Sequence, residues 1–308
     1  MNIISENTQY WVIRSGIEAK CFEEFYRDGC VALGWDKVGQ SILSENSISL
    51  DYVKEIVARE YGQVLHERIN TKSINRKIGD IASKIYRFAH EVQIGDIVLT
   101  PGDRDVLIGT VTGDLTLVDG RYNITPSNPD EKLIGQLNKI RSVRWMERVD
   151  KNKLEPNIRL CLRVIHGISQ ITHEQVITEI NRTLYSMYEF GNQMHSIYRI
   201  RNEKEVDFKK YAKFIECINK AYDIFGTDGE RLVIKTNVQS PGPIELIGNK
   251  NLVSKIVAVV SFFLKNDLSG LDKLGADREK IQEIKKEKYS DVADEEYEDY
   301  DFPMYGIF

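Results

Sequence analysis

The apolar positions change period several times along the chain, and each change predicts an element. Tyr10-Trp-Val-Ile13 and Val31-Ala-Leu33 are short apolar runs closed by Ser15-Gly16 and Gly34-Trp35, and they read as strands. Between them Ala19, Phe22 and Phe25 recur at helical spacing until Asp28-Gly29 ends the pattern. A helical stripe over 50–61 carries Val53, Ile56, Val57 and Tyr61, and another over 74–90 carries Ile74, Ile78, Ile81, Ile85 and Phe88. Ile97-Val-Leu99 and Val106-Leu-Ile108 flank Thr100-Pro-Gly-Asp-Arg-Asp105, whose Pro, Gly and Asp favour a reversal, so this stretch predicts a β-hairpin. Breakers at 119–120 and 126–129 predict a loop. The alternation from Ile140 to Met146 then predicts a strand. Thr172 and Gln175 stand at capping-box spacing, opening a helix expected to run to about Phe190.

Residues 191–206 are polar and charged without periodicity, and a linker is expected there. The organisation read from the chain is therefore a domain over 1–190, a linker over 191–206, an α-β-β-α-α unit over 207–288 and an acidic, aromatic tail over 289–308. The second unit is expected to comprise a helix over 208–225, strands over 231–238 and 244–248 around a turn at 239–243, a buried helix over 252–264 and a charged helix over 271–288. Residues 1–9 are expected to be loosely held.

A chain of 308 residues with 42% hydrophobic content can fill two cores. The apolar run Ile256–Leu264 is bracketed by Lys255 and Lys265 and is too short to cross a bilayer. The cysteines (21, 30, 161 and 217) match no zinc or redox spacing and read as reduced thiols. A cytoplasmic protein without membrane attachment or cofactor is the expectation. The net charge of −5 conceals an uneven distribution. The segment from Glu287 to Asp301 holds eight acidic residues against one lysine, so the remainder of the chain is slightly basic. One cluster comprises Arg68, Lys72, Arg76, Lys77, Lys84 and Arg87, and a second Lys139, Arg141, Arg144 and Arg148. Such patches suit the sugar–phosphate backbone of a nucleic acid, and Arg76, Lys77, Lys84, Arg87, Arg141 and Arg144 are the expected phosphate contacts.

Six segments occur in an order that resembles a known family: Tyr10–Gly16, Val31–Trp35, Ile85-Tyr-Arg-Phe88, Gly95-Asp-Ile-Val98, Ile108–Gly113 and Arg141–Trp145. Together they resemble the N-terminal EVE/PUA-like domain of Mrr-type restriction-system proteins over about residues 9–180. The resemblance implies an α+β chain whose N-terminal part is a small, bent β-barrel with flanking helices, attached to an effector in defence against phage. It further implies that one flipped, often modified, base is held in an aromatic pocket. Trp11, Trp35, Tyr86, Phe88 and Trp145 are the candidate faces, Ser15 a candidate polar contact, and Gly109 a place where a ring could approach the sheet. DNA stands ahead of RNA as the target, with an effector protein or a second copy as partner of the C-terminal unit.

Two rivals belong to other classes. A metal-dependent nuclease of the restriction type needs an Asp followed by Glu-x-Lys. Asp223, Asp228, Glu230 and Glu245 supply carboxylates, but the position two after Glu245 is Ile247 rather than lysine. No nucleotide-binding or hydrolase motif stands elsewhere, so no catalytic residues are expected. The other rival is a structural subunit that only oligomerises.

Overall fold

A computed structural model describes residues 2–39, 42, 48–68, 71–118, 122, 133–163, 167–200, 207–236, 243–290, 292, 297 and 300–303. The expected breakers at 119–120 and 126–129 lie outside the described residues, as do most of the expected turn at 239–243, positions 201–206 and 304–308, and the side chains of Arg68 and Lys72. The chain is a mixed α+β protein divided into two compact units, one of residues 8–180 and one formed by 1–7 with 181–308. The first strand, β1 (Asn2–Ile4), belongs to the latter.

In the 8–180 unit the elements run β2 (Tyr10–Ile13), α1 (Phe22–Asp28), β3 (Cys30–Leu33), α2 (Leu50–Arg68), α3 (Thr71–Tyr86), β4 (Ile97–Pro101), β5 (Asp105–Val111), β6 (Thr116–Leu117), β7 (Lys139–Asp150), α4 (Pro156–Cys161) and β8 (Ile168–Ile171). The sheet has the order β3-β7-β5-β4-β2-β8, with β6 also beside β7, and it curls into a half-barrel. Strands β2 and β4 pair in parallel, and the other described pairings of this sheet are antiparallel. Strands β2, β3 and β4 are buried along their whole length, which is why they read as continuous apolar runs rather than alternations. The hairpin β4–β5 forms as expected, closed by the Gly102 N–H on the Asp105 carbonyl. Helices α2 and α3 pack on each other and add Val53, Ile56, Val57, Tyr61, Leu65, Ile74, Ile81 and Ile85 to the core. Helix α2 continues to Arg68 because Leu65 prolongs its apolar stripe; α3 ends in a π-helical turn, Arg87–Glu91.

The second unit corrects the expected boundary. Helix α5 (Glu174–Leu184) stops six residues before Phe190, and β9 (Met187–Phe190) pairs with β10 (Gln193–Ile200) through a reversal at Gly191, φ +58°. The stretch read as the start of a linker is thus the middle of a sheet, with Met194, Ser196, Ile197 and Tyr198 buried. Nor are the first residues loose, because β1 pairs in parallel with β9, Asn2 opposite Tyr188.

Beyond β10 come α6 (Phe208–Phe225), β11 (Val233–Thr236), β12 (Ile244–Gly248), α7 (Lys250–Lys265), α8 (Arg278–Lys288) and β13 (Tyr300–Asp301). The sheet order is β1-β9-β10-β12-β11, with β13 on β10. Asn249 caps α7 by accepting the Asn251 and Leu252 N–H groups, and eleven of the sixteen residues of that helix are buried. Aromatic residues of the acidic C-terminal segment join this unit. Tyr297 and Tyr300 are buried in this core, and Phe302 meets Tyr198 and Phe214 edge-on. Among the described residues no helix is long and apolar enough to cross a membrane.

Candidate functional site

A cleft of about 640 Å³ opens in the 8–180 unit where the ends of β2 and β3 face α3. Three short pieces of chain make its walls. After β2 come Arg14, Gly16 and Glu18; after β3 come Gly34 and Trp35; and α3 contributes Lys77, Asp80 and Lys84. Leu33, Ile134 and Leu137 supply the apolar lining.

The turn after β3 has little freedom. A Cβ on Gly34 would stand 2.4 Å from Ile134 Cγ2 and 2.7 Å from its carbonyl oxygen, so only glycine fits. Trp35 follows with φ +59°, in the left-handed region that non-glycine residues seldom occupy. Its N–H donates to the Ile134 carbonyl, and its own carbonyl accepts from Val38 N–H at 3.0 Å. Glu18, which lines the cleft, and its neighbour Ala19 also take positive φ, +52° and +55°. Conformations of this kind cost about 1–3 kcal/mol each and collect at binding and catalytic sites.

Trp35 has 7% of its surface exposed, and no hydrogen-bond partner for its indole N–H is seen among the described residues. Lys84 Nζ lies 5.7 Å from the ring centroid, within cation–π range. Burial pushes the Lys84 ammonium below the usual lysine range, with Asp80 offsetting part of that effect. The cleft thus joins one indole, three basic side chains and two carboxylates.

Of the expected site residues, Trp35, Lys77 and Lys84 line this cleft and the others do not. Trp11 is fully buried, and its indole N–H donates to Asp96 Oδ2 at 2.9 Å. Asp96 also takes the Gln9 and Gln93 N–H groups, so this carboxylate ties the start of β2 to the loop before β4. Phe88 is fully buried in the same core. Tyr86 is half-buried and packs on His90, ring centroids 5.2 Å apart. Trp145 donates its indole N–H to the Phe25 carbonyl at 2.7 Å, fastening α1 to β7. Gly109 does mark a close approach, but to its own sheet. The register slips between Ile108 and Gly109, and a Cβ there would stand 2.6 Å from the Arg144 carbonyl oxygen. Ser15 is buried beside the cleft-lining Arg14 and Gly16, and no hydrogen-bond partner for its hydroxyl is seen among the described residues. An aromatic residue type alone does not separate a ring that walls a cavity from one that fills a core: Trp11 and Phe88 are fully buried, and Tyr86 and Trp145 are partly buried against the same core.

The basic residues divide in the same way. Arg76 and Arg144 are exposed, and Arg87 lies 3.7 Å from Glu91 across one helical turn. Arg141, an expected phosphate contact, is 5% exposed and donates to the carbonyls of Phe88 and Ala89, both at 2.9 Å. Arg148 is bound to Glu23 and Asp105, each at 2.7 Å. Lys139, read as part of a surface cluster, is completely buried.

The C-terminal unit holds a buried polar group of its own. Glu245 on β12 has no exposed surface and accepts from His195 Nδ1 at 2.7 Å, the Tyr188 hydroxyl at 3.2 Å and Arg182 Nη1 at 3.4 Å. The His195 and Tyr188 rings stack with centroids 4.5 Å apart. Burial would push the Glu245 carboxyl up; the hydrogen bond and charge of His195 outweigh it, helped by Arg182 and Lys235, and hold it below the usual carboxylate range. Glu245 is therefore engaged by cations rather than gathered with Asp223, Asp228 and Glu230. Among the described residues no three His, Cys, Asp or Glu side chains form a group able to hold a metal ion.

Neither the curated proteins nor the solved structures compared contain a match to this chain. Residues 11–162, which include the three cleft walls, match the family model described as a domain of unknown function, DUF8426.

Proposed function

We propose that the 8–180 unit is a nucleic-acid-binding module of the EVE/PUA-like kind that takes a single base, of modified type, into the cleft beside Trp35. In this reading the protein is not itself an enzyme. It serves a restriction or anti-phage system, and the C-terminal unit meets an effector or a second copy. The observation that carries the reading is the cleft, where an indole with an ammonium over its ring lies among Arg14 and Lys77 on a strained backbone. A base outside its stack needs an apolar or aromatic face, and the attached phosphates need cations. The curled sheet agrees with a bent-barrel scaffold.

The test is a panel of oligonucleotides, DNA and matched RNA, each carrying one modified base, titrated at several salt concentrations. Affinity is expected to fall with salt. Replacing both Lys77 and Lys84 by glutamine should reduce the slope of log K against log salt by about 0.9 for each phosphate that the variant no longer neutralises. Trp35→Phe, which keeps a ring in the wall, should weaken binding less than Trp35→Ala, since base–aromatic stacking is worth about 1–3 kcal/mol. Because Trp35 is largely buried, Trp35→Ala is also expected to lower the melting temperature, so the lysine variants give the cleaner comparison. Affinity indifferent to all these changes would overturn the proposal.

A further inference from the structure

Lys139 lies on β7, fully buried, directly beneath the turn that carries Trp35. Its Nζ donates to the Gly34 carbonyl at 3.0 Å, the Trp35 carbonyl at 2.8 Å and Asn138 Oδ1 at 3.0 Å. We propose that Lys139 is the positioning residue of the cleft, holding the Gly34–Trp35 turn in the left-handed conformation that sets the indole in the wall.

A lysine ammonium has three N–H donors, and here each has one acceptor. Two of those acceptors are the backbone carbonyls on either side of the strained residue, so the interaction acts on the backbone torsions of Trp35 itself. The third, Asn138, donates through Nδ2 to the Asp36 carbonyl at 3.3 Å and so extends the clamp to the residue after Trp35. A neutral amine has two donors, so loss of the proton must release one of the three acceptors. Burial pushes the Lys139 ammonium down to about 7, with Asp36 opposing that shift, which puts the release within the neutral range. Among the described residues, the charged or titratable groups around this turn also include Tyr61 of α2, whose hydroxyl donates to Asp36, Lys37 over the Tyr61 ring, and Lys84 of α3 over the Trp35 ring with Asp80 beside it. Arg141 stands two residues along β7 and is engaged with backbone carbonyls.

The inference depends on the base-binding reading only for its ligand, and its primary readout needs none. In ligand-free protein, the indole N–H resonance of Trp35 (assigned with Trp35→Phe) and the side-chain resonances of Lys139 are followed through neutral pH. Both are expected to move with one shared midpoint near 7. Lys139→Gln should leave the Trp35 resonance without that transition. If this variant does not fold, the paired titration of the unaltered protein still decides. A Trp35 resonance that stays in place, or that moves with a midpoint unlike that of Lys139, overturns the inference. Oligonucleotide affinity, measured alongside, should fall about fivefold as pH rises through the same midpoint, the worth of one hydrogen bond. A shared midpoint with no binding by any oligonucleotide would sink the base-binding reading and leave the role of Lys139 standing. Tight binding with a fixed Trp35 resonance would do the reverse.

Discussion

Alanine in place of Glu245 is expected to destabilise the C-terminal unit by about 3–5 kcal/mol, the usual result of removing one partner from a buried charge pair. Arg182 would keep its charge near the centre of the sheet, while the His195 ring and the Tyr188 hydroxyl would lose their shared acceptor. Glutamine should recover part of the loss, since it still accepts hydrogen bonds but carries no charge. Denaturant unfolding of both variants, read as a change of midpoint at constant slope, measures the effect. The pH dependence has a definite sign. Because the folded protein holds Glu245 below the usual carboxylate range, its contribution is complete above that range and is lost as pH falls through the lowered value. The difference in stability between the parent and Glu245→Gln should therefore narrow in acid. A difference that stays constant from neutral pH into acid would show that the carboxylate charge is not what the cluster uses.

Arg141→Ala should be the most damaging of the arginine substitutions in the 8–180 unit. Helix α3 and its π-helical turn end at Glu91, so the Phe88 and Ala89 carbonyls fall among the last ones of the helix, which lack partners further along it. The Arg141 guanidinium supplies those partners through Nε and Nη2, and its Nη1 reaches the Gly113 carbonyl at 3.4 Å. Stranding two buried carbonyls costs about 1–3 kcal/mol each, before counting the space the side chain leaves. Lysine cannot form the fork and should rescue little. Thermal melts of the alanine and lysine variants test this, with Arg144→Ala, an exposed neighbour on the same strand, expected to lie within about 0.5 kcal/mol of the parent. If instead Arg141→Ala melts normally and flattens the salt dependence of oligonucleotide binding, the arginine belongs to the nucleic acid after all.

The elements that local periodicity predicts are those whose burial is set within the element. The Tyr10–Ile13 strand, the hairpin around Pro101 and Gly102, and the helix at Leu252–Leu264 all fall close to their expected places. Elements that depend on distant partners are the ones the local pattern hides. Residues 191–200 look like linker because β10 interleaves His195 and Ser196 with apolar residues and is buried by strands on both sides. Gly191-Asn192 between two short runs is nevertheless a readable hairpin turn. The pairing of β1 with β9 spans more than half the chain, and no local pattern announces it. For the site, the exits Ser15-Gly16 and Gly34-Trp35 are visible as bends, and both border the cleft. The role of Lys139 is not legible, because a lysine among arginines reads as surface. Its burial follows from the acceptors that the Gly34–Trp35 turn brings to it.

Strand β1 gives the chain an unusual connectivity: residues 8–180 are an insertion between the first seven residues and the remainder of the unit those seven complete. Dissecting the protein is therefore asymmetric. The inserted segment can be excised with every strand of its own sheet retained, whereas a fragment starting at Asn181 would uncover the rim of β9 and invite pairing with other chains. Supplying Asn2–Ile4 on the same polypeptide, through a short graft that bypasses the insertion, should restore a monodisperse fragment.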